Sequence, residues 1–276
     1  IDYPGFNLRL AKRIKPLGIP IVYYITPQVW AWHKKRVHQI RKLIDRVLVI
    51  LPFEERFFRE HGVESKFVGH YLLEDIPAEY IASPVPEKNR LCLMPGSRPQ
   101  EIERMLLPML RAVRMFNKKY GTTAVVAAVK GRFDYEKYIE EFRTDNVELV
   151  YDDARRAVAE SSLVLTASGT ATLEAAIIGR PMVVVYKTGS ITYHIAKRLI
   201  KLDKIGLVNL VLGEKAVPEL IQSDASPEKM MAELEKLYND EAYYNSVVEK
   251  LRRVPQMLGG TGASRRAAEL IAEYLS

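Results

Sequence analysis

Cysteine is all but absent from this chain of 276 residues. Cys92 stands alone, which excludes an intramolecular disulfide framework and makes the reducing cytoplasm the expected setting. Long apolar runs are absent too: no stretch approaches the roughly 20 uninterrupted residues that a membrane-spanning helix requires. No D-x-D triplet occurs, and the five histidines (His33, His38, His61, His70, His194) form no ligand pair beyond the loose His33/His38 spacing. No metal site and no cofactor are therefore expected. There is no G-x-G-x-x-G fingerprint and no Walker lysine loop, which disfavours dinucleotide and P-loop chemistry. Repeats of solenoid period and low-complexity segments are also missing.

The composition, 48% hydrophobic and 27% charged, is that of a globular protein, and the length allows two ordinary domains. A formal net charge of +7 favours polyanionic partners: nucleic acid, anionic headgroups or phosphorylated substrates. Surface solubility explains the same surplus, so charge alone does not choose.

Along the chain, short β-rich runs alternate with amphipathic helices. Phe6, Leu10, Ile14 and Leu17 have helical spacing that ends at Gly18. Residues 19–25, 46–51 and 66–68 read as strands, with a basic helix around Val37, Ile40 and Ile44 and another helix opening at Pro52. A stretch rich in Pro, Glu and Ala follows, and a fresh alternation then places strands near 90–95, 122–129, 146–150, 162–166 and 181–186. From about 187 the pattern is mostly helical. Strands alternating with helices imply parallel sheets covered on both faces. The expected architecture is α/β, with two doubly wound, Rossmann-like domains facing a cleft. The first spans 1–75, a linker 76–89, the second 90–255, and a C-terminal helix 256–276 could pack back on the first. The opening Ile1-Asp2-Tyr3-Pro4-Gly5-Phe6-Asn7 reads as a strand end inside a domain, so an earlier part of that domain is expected to lie outside this sequence.

Two strand-to-helix junctions carry the chemistry. In Leu93-Met94-Pro95-Gly96-Ser97-Arg98, Gly96 lets backbone approach a ligand, the helix start attracts phosphate and Arg98 can add a charge-assisted contact. An ordinary turn with a solvated Arg fits the same string. In Thr166-Ala167-Ser168-Gly169-Thr170-Ala171-Thr172-Leu173-Glu174, small residues leave amides open to a diphosphate, and Glu174 could accept from ribose hydroxyls. The alternative there is capping by the hydroxyls and a first-turn acid favoured by the helix dipole. A third tract, Thr26 to Arg36, holds both tryptophans, Trp30 and Trp32, beside Lys34, Lys35 and Arg36. It suits a membrane interface, a lipid headgroup or a sugar platform, or else a loop whose rings pack inward.

Taken in order, the strings IDYPGFNLRLAKRIK, YYITPQVWAWHKKRVHQIRK, LPFEERFF, FVGH, LMPGSRPQEI, ASGTATLEAAIIGRPMVVVY and VNLVLGEKAVPELIQ resemble the lipid-A-disaccharide synthase family of GT-B glycosyltransferases. The specificity rests on D-x-P-x-F-N and P-x-V-W-A-W near the start. Related junction strings occur in the transferase that makes lipid II and in UDP-GlcNAc epimerases, and a non-catalytic basic nucleotide- or RNA-binding module is the rival outside enzymes. The resemblance implies metal-independent, inverting transfer of 2,3-diacylglucosamine from UDP to the 6-hydroxyl of 2,3-diacylglucosamine 1-phosphate. Its partners would be the UDP-diacylglucosamine donor, the acylated glucosamine phosphate acceptor and an anionic membrane surface at the inner face of the inner membrane, with no nucleic acid. By the same resemblance Asp2 is the candidate base. Gly96, Ser97, Arg98, Ser168, Gly169 and Thr170 would hold diphosphate, Glu174 the ribose, and Asn209 the donor side. Asn7, Trp30, Trp32, Lys34, Lys35 and Arg36 would face the acceptor or membrane. Val208 before Asn209, and Tyr71 after Gly69-His70, depart from the family's usual prolines.

Overall fold

The computed structural model describes residues 3–31, 36–87, 89–187 and 204–275, which fall into two units. In the first, β1 (Val22–Tyr24), β2 (Arg46–Val49) and β3 (Ser65–Phe67) form a parallel sheet in the order β1-β2-β3. Tyr24 pairs with Leu48 and Leu48 with Lys66. The helix α1 (Pro4–Ile14) precedes these strands, α2 (Arg36–Leu43) and α3 (Pro52–Glu60) connect them, and α4 (Leu72–Asp75) follows. Successive strand side chains face opposite ways, and β2 shows the consequence. Val47 and Val49 enter a core with Val37, Ile40 and Phe58, while Leu48 faces a second cluster with Val68 and Ala267.

Ala267 belongs to the C-terminal helix, Ala263–Leu275, which is part of this unit. Leu270 and Ile271 pack on the same cluster. The helix start is held by Glu74, which accepts from the Ser264 amide at 3.0 Å and its hydroxyl at 2.6 Å. Those bonds keep the Glu74 carboxyl below its ordinary range. Gly259 allows the approach: its φ is 86°, and a Cβ there would lie 3.0 Å from the Gly69 Cα.

The second unit holds a six-stranded parallel sheet in the order β6-β5-β4-β7-β8-β9. Its strands are β4 (Arg90–Met94), β5 (Thr123–Ala128), β6 (Val147–Tyr151), β7 (Leu163–Ala167), β8 (Met182–Tyr186) and β9 (Glu219–Ile221). Most residues of β4, β5, β7 and β8 are apolar and buried, as expected of parallel strands covered on both faces. The chain starts in the middle at β4, moves outward through β5 and β6, then crosses to β7 and moves outward the other way. The helices here include α5 (Pro99–Tyr120), α6 (Glu136–Ile139), α7 (Ala154–Ala159) and α8 (Ala171–Ile178). Ile102, Met105, Leu106, Met109, Val113 and Phe116 line one face of α5 at helical spacing and are buried. The sheet extends one strand further than the sequence alternation predicts, because β9 lies inside the stretch read as helical.

The segment expected to be a linker is fastened to this unit. Arg180, only 1% exposed, donates to the carbonyls of Ser83, Pro84, Ala159 and Ile178 and to the Ser83 hydroxyl. The Ala82 amide donates to Ile177. Burial pulls the Arg180 pKa below its usual value, and carbonyl oxygens satisfy the charge instead of a carboxylate.

Candidate functional site

In an open α/β sheet, ligands bind beyond the carboxyl ends of the strands, where the strand order reverses. Here that point lies between β4 and β7, which are neighbours with Met94 paired to Thr166. Both junctions singled out in the sequence open there, side by side. β4 runs through Pro95, Gly96, Ser97 and Arg98 into α5, and β7 through Ser168, Gly169 and Thr170 into α8. Each helix start leaves amides without intrahelical partners at its positive dipole end.

The first turn depends on its glycine. Gly96 has φ 118°, and a Cβ there would come within 2.9 Å of the Glu101 Cβ. Ser97 and Arg98 are exposed, and the Arg98 guanidinium donates to Glu101 at 2.9 Å. In the second turn the Thr172 hydroxyl donates to the Gly169 carbonyl at 2.8 Å, and the Ser168 hydroxyl to the Ile205 carbonyl at 3.3 Å. Among the described residues, nothing lies within 4 Å of where a Gly169 Cβ would stand. Glu174, one turn into α8, is paired with Arg155 of α7 at 3.3 Å, both half-buried. Arg155 was not singled out from sequence. It lies nineteen residues from Glu174 in no recognisable motif, and only the packing of α7 on α8 brings the two together.

Two of the expected site residues are held by partners inside the protein. Asn209 is fully buried, and its side chain is fully engaged inside the protein. Its amide nitrogen donates to the Val217 carbonyl and Glu219, and its oxygen accepts from the Ala216 and Val217 amides. It therefore shapes the turn before β9 and orients Glu219, which holds the Ile205 and Gly206 amides. Trp30 packs inward at 9% exposure, with its indole N–H donating to the buried Glu54 at 2.9 Å and its ring edge-on to Phe53. Burial pushes the Glu54 carboxyl up to about 7 despite the bonds from Trp30 and Leu51.

Of the residues expected to face the acceptor or membrane, Asn7 donates to the Tyr23 hydroxyl at 3.3 Å and Arg36 opens α2, half-buried. Asp2, Trp32, Lys34 and Lys35 lie outside the described residues. No described helix is long and apolar enough to cross a membrane.

Two units built on parallel sheets, with paired small-residue turns at the switch point of the second, place the chain in the GT-B fold class. Solved structures share this architecture. A UDP-GlcNAc 2-epimerase from Neisseria meningitidis bound to UDP-GlcNAc has a TM-score of 0.61 at 13% identity, covering 96% of this chain and 73% of that one. An S. aureus MnaA–UDP structure has a TM-score of 0.64 at 14% identity, covering 99% and 79%. At such identity the likeness is one of fold. Sequence is more specific: residues 1–273 match the family described as lipid-A-disaccharide synthetase. The lipid-A-disaccharide synthase of Anaeromyxobacter dehalogenans is 43% identical over 98% of this chain and 73% of its own length. That of Myxococcus xanthus is 38% identical over 100% of the chain and 74% of its length. The chain belongs to the lipid-A-disaccharide synthase family, a family of hexosyltransferases.

Proposed function

We propose that this protein transfers 2,3-diacylglucosamine from UDP to the 6-hydroxyl of 2,3-diacylglucosamine 1-phosphate, releasing UDP and lipid A disaccharide 1-phosphate. The observation that carries the reading is the pair of small-residue turns meeting at the switch point between β4 and β7, in a chain of this family. The donor diphosphate lies over Gly96, Ser97 and Arg98 on one side and Ser168, Gly169 and Thr170 on the other. Glu174, oriented by Arg155, accepts from the ribose hydroxyls.

Asp2 takes the proton from the acceptor 6-hydroxyl as that oxygen attacks the anomeric carbon and the bond to diphosphate breaks. One displacement inverts the configuration. Arg98 and the two helix starts stabilise the charge that develops on departing UDP, the role a divalent ion fills elsewhere. The acceptor is acylated, so the protein works at an anionic membrane surface, peripherally on the cytoplasmic face. Two observations support this. Residues 1–44 carry nine Lys or Arg against one acid, and Tyr3, Phe6, Leu10, Leu17 and Ile19 are exposed apolar side chains.

The test is transfer itself. The complete natural polypeptide, given UDP-diacylglucosamine and diacylglucosamine 1-phosphate in micelles, should form the disaccharide phosphate and UDP in equal amounts. Consumption of the donor without disaccharide, or no turnover, would remove the reading.

A further inference from the structure

Buried polar side chains are few in the first unit, and most of them gather on one edge. Among its described residues they are Thr26, Glu54, Ser65 and His70. Because β1, β2 and β3 run parallel, their carboxyl ends share one edge of the sheet. Thr26 follows β1, Glu54 sits in the first turn of the helix after β2, and His70 follows β3. This is the edge where α/β sheets bind ligands.

Glu54 is engaged by Trp30 and the Leu51 amide, but the other two are not satisfied in that way. The Thr26 hydroxyl is buried and has no hydrogen-bond partner among the described residues. A buried hydroxyl left unpaired is costly, and its retention calls for a reason. The residue before it, Ile25, has φ 58°, a left-handed conformation rare for a β-branched side chain and of the kind that gathers at binding sites. In His70, Nδ1 accepts from the Leu72 amide at 3.2 Å, so the neutral ring must carry its proton on Nε2. Nε2 makes no hydrogen bond among the described residues, and burial holds the ring neutral, its pKa pulled down to about 4. Both groups are thus uncharged. Arg266, packed against Gly69, already gives its three nitrogens to the carbonyls of Val68, Thr261 and Gly259, so it adds no charge-assisted contact.

We propose that Thr26 and His70 form a polar subsite, at the carboxyl edge of the first sheet, for the hydroxyl-bearing ring of the acceptor sugar and not for its phosphate. Two strand spacings separate β1 from β3, about 9–10 Å, a span suited to one hexose ring bridged by a hydrogen bond at each end. The assignment rests on the glycosyltransferase reading above and adds where the acceptor ring sits.

Equilibrium binding of 2,3-diacylglucosamine 1-phosphate in neutral detergent micelles, with UDP affinity and transfer measured in parallel, tests it. Thr26→Val should weaken acceptor binding about 3–10-fold, with the melting temperature unchanged or higher because an unpaired hydroxyl is gone. His70→Asn keeps an acceptor near the Nδ1 position and removes the outer donor, so it should weaken binding to the same degree. His70→Gln keeps a donor near the Nε2 position and should retain most of the affinity. UDP affinity should be the same in all variants. If wild type transfers sugar while Thr26→Val and His70→Asn bind acceptor normally, the subsite is wrong and the enzyme reading stands. If wild type binds no acceptor and transfers nothing, both fall.

Discussion

Glu54 and His70 pull the stability of the first unit in opposite directions as pH changes, and replacing one of them should unmask the other. Burial raises the Glu54 carboxyl from 4.5 to about 7. Between those values the folded state holds a proton that the unfolded chain has lost, so stability falls as pH rises through the window. His70 is lowered by burial from 6.5 to about 4. Between those values the unfolded chain holds the extra proton, so stability rises with pH. Tenfold in proton affinity corresponds to about 1.4 kcal/mol, so each contribution totals roughly 3 kcal/mol, and the two nearly cancel from about pH 4.5 to 6.5. Glu54→Gln removes the falling contribution. Its stability relative to wild type should climb by roughly 3 kcal/mol between pH 4.5 and 7.5. Urea unfolding followed by tryptophan fluorescence measures this directly, because Trp30 donates to Glu54 and reports on that contact. The difference between the two profiles excludes every group they share. A difference flat to within about 1 kcal/mol across this range would show that Glu54 is not held protonated by burial and would refute the argument.

Further outcomes follow from single contacts. Arg98→Ala should weaken UDP binding about tenfold by calorimetry, the low end for a charge-assisted bond, because Arg98 must first leave Glu101. Gly96→Ala forces a side chain into a left-handed turn against Glu101 and should lower stability by about 1–3 kcal/mol in chemical denaturation. Asn209→Ala leaves the Ala216 and Val217 amides and the Val217 carbonyl unpaired and should cost about 2–5 kcal/mol by the same measurement. Asp2→Asn in the complete polypeptide should reduce turnover about 10²–10⁴-fold while UDP affinity stays unchanged.

The second sheet was readable from sequence because its strands are continuous apolar runs between polar helices. RLCLM, TAVVAA and MVVVY carry the parallel-sheet signal within themselves, and the observed strands fall on the expected runs. The two turns proposed to hold the donor were readable as turns for a similar reason, since small residues at a strand-to-helix junction are a local pattern. What sequence could not convey is which polar or aromatic side chain already has a partner. Nothing beside Trp30 in the sequence reveals that Glu54, twenty-four positions on, accepts from it. Nothing beside Asn209 reveals that the turn at Ala216 and Val217 closes on it. The proline-rich segment after residue 76 reads as a free linker because nothing local reveals that Arg180, nearly a hundred positions away, will bind its carbonyls. β9 was missed because three residues, Glu219 to Ile221, form too short a run to stand out among helices.

The clamp between Glu74 and Ser264 sets an order of assembly during synthesis. The first unit takes residues up to 75 and again from 255, while the second lies between those points. As the chain leaves the ribosome, the second unit has its whole sheet in hand before the first receives the helix that covers Leu48 and Val68. The usual rule that the domain encoded first is finished first is inverted here. Until Ala267, Leu270 and Ile271 emerge, that face of the first sheet stays open to water, and to chaperones that recognise exposed apolar surface.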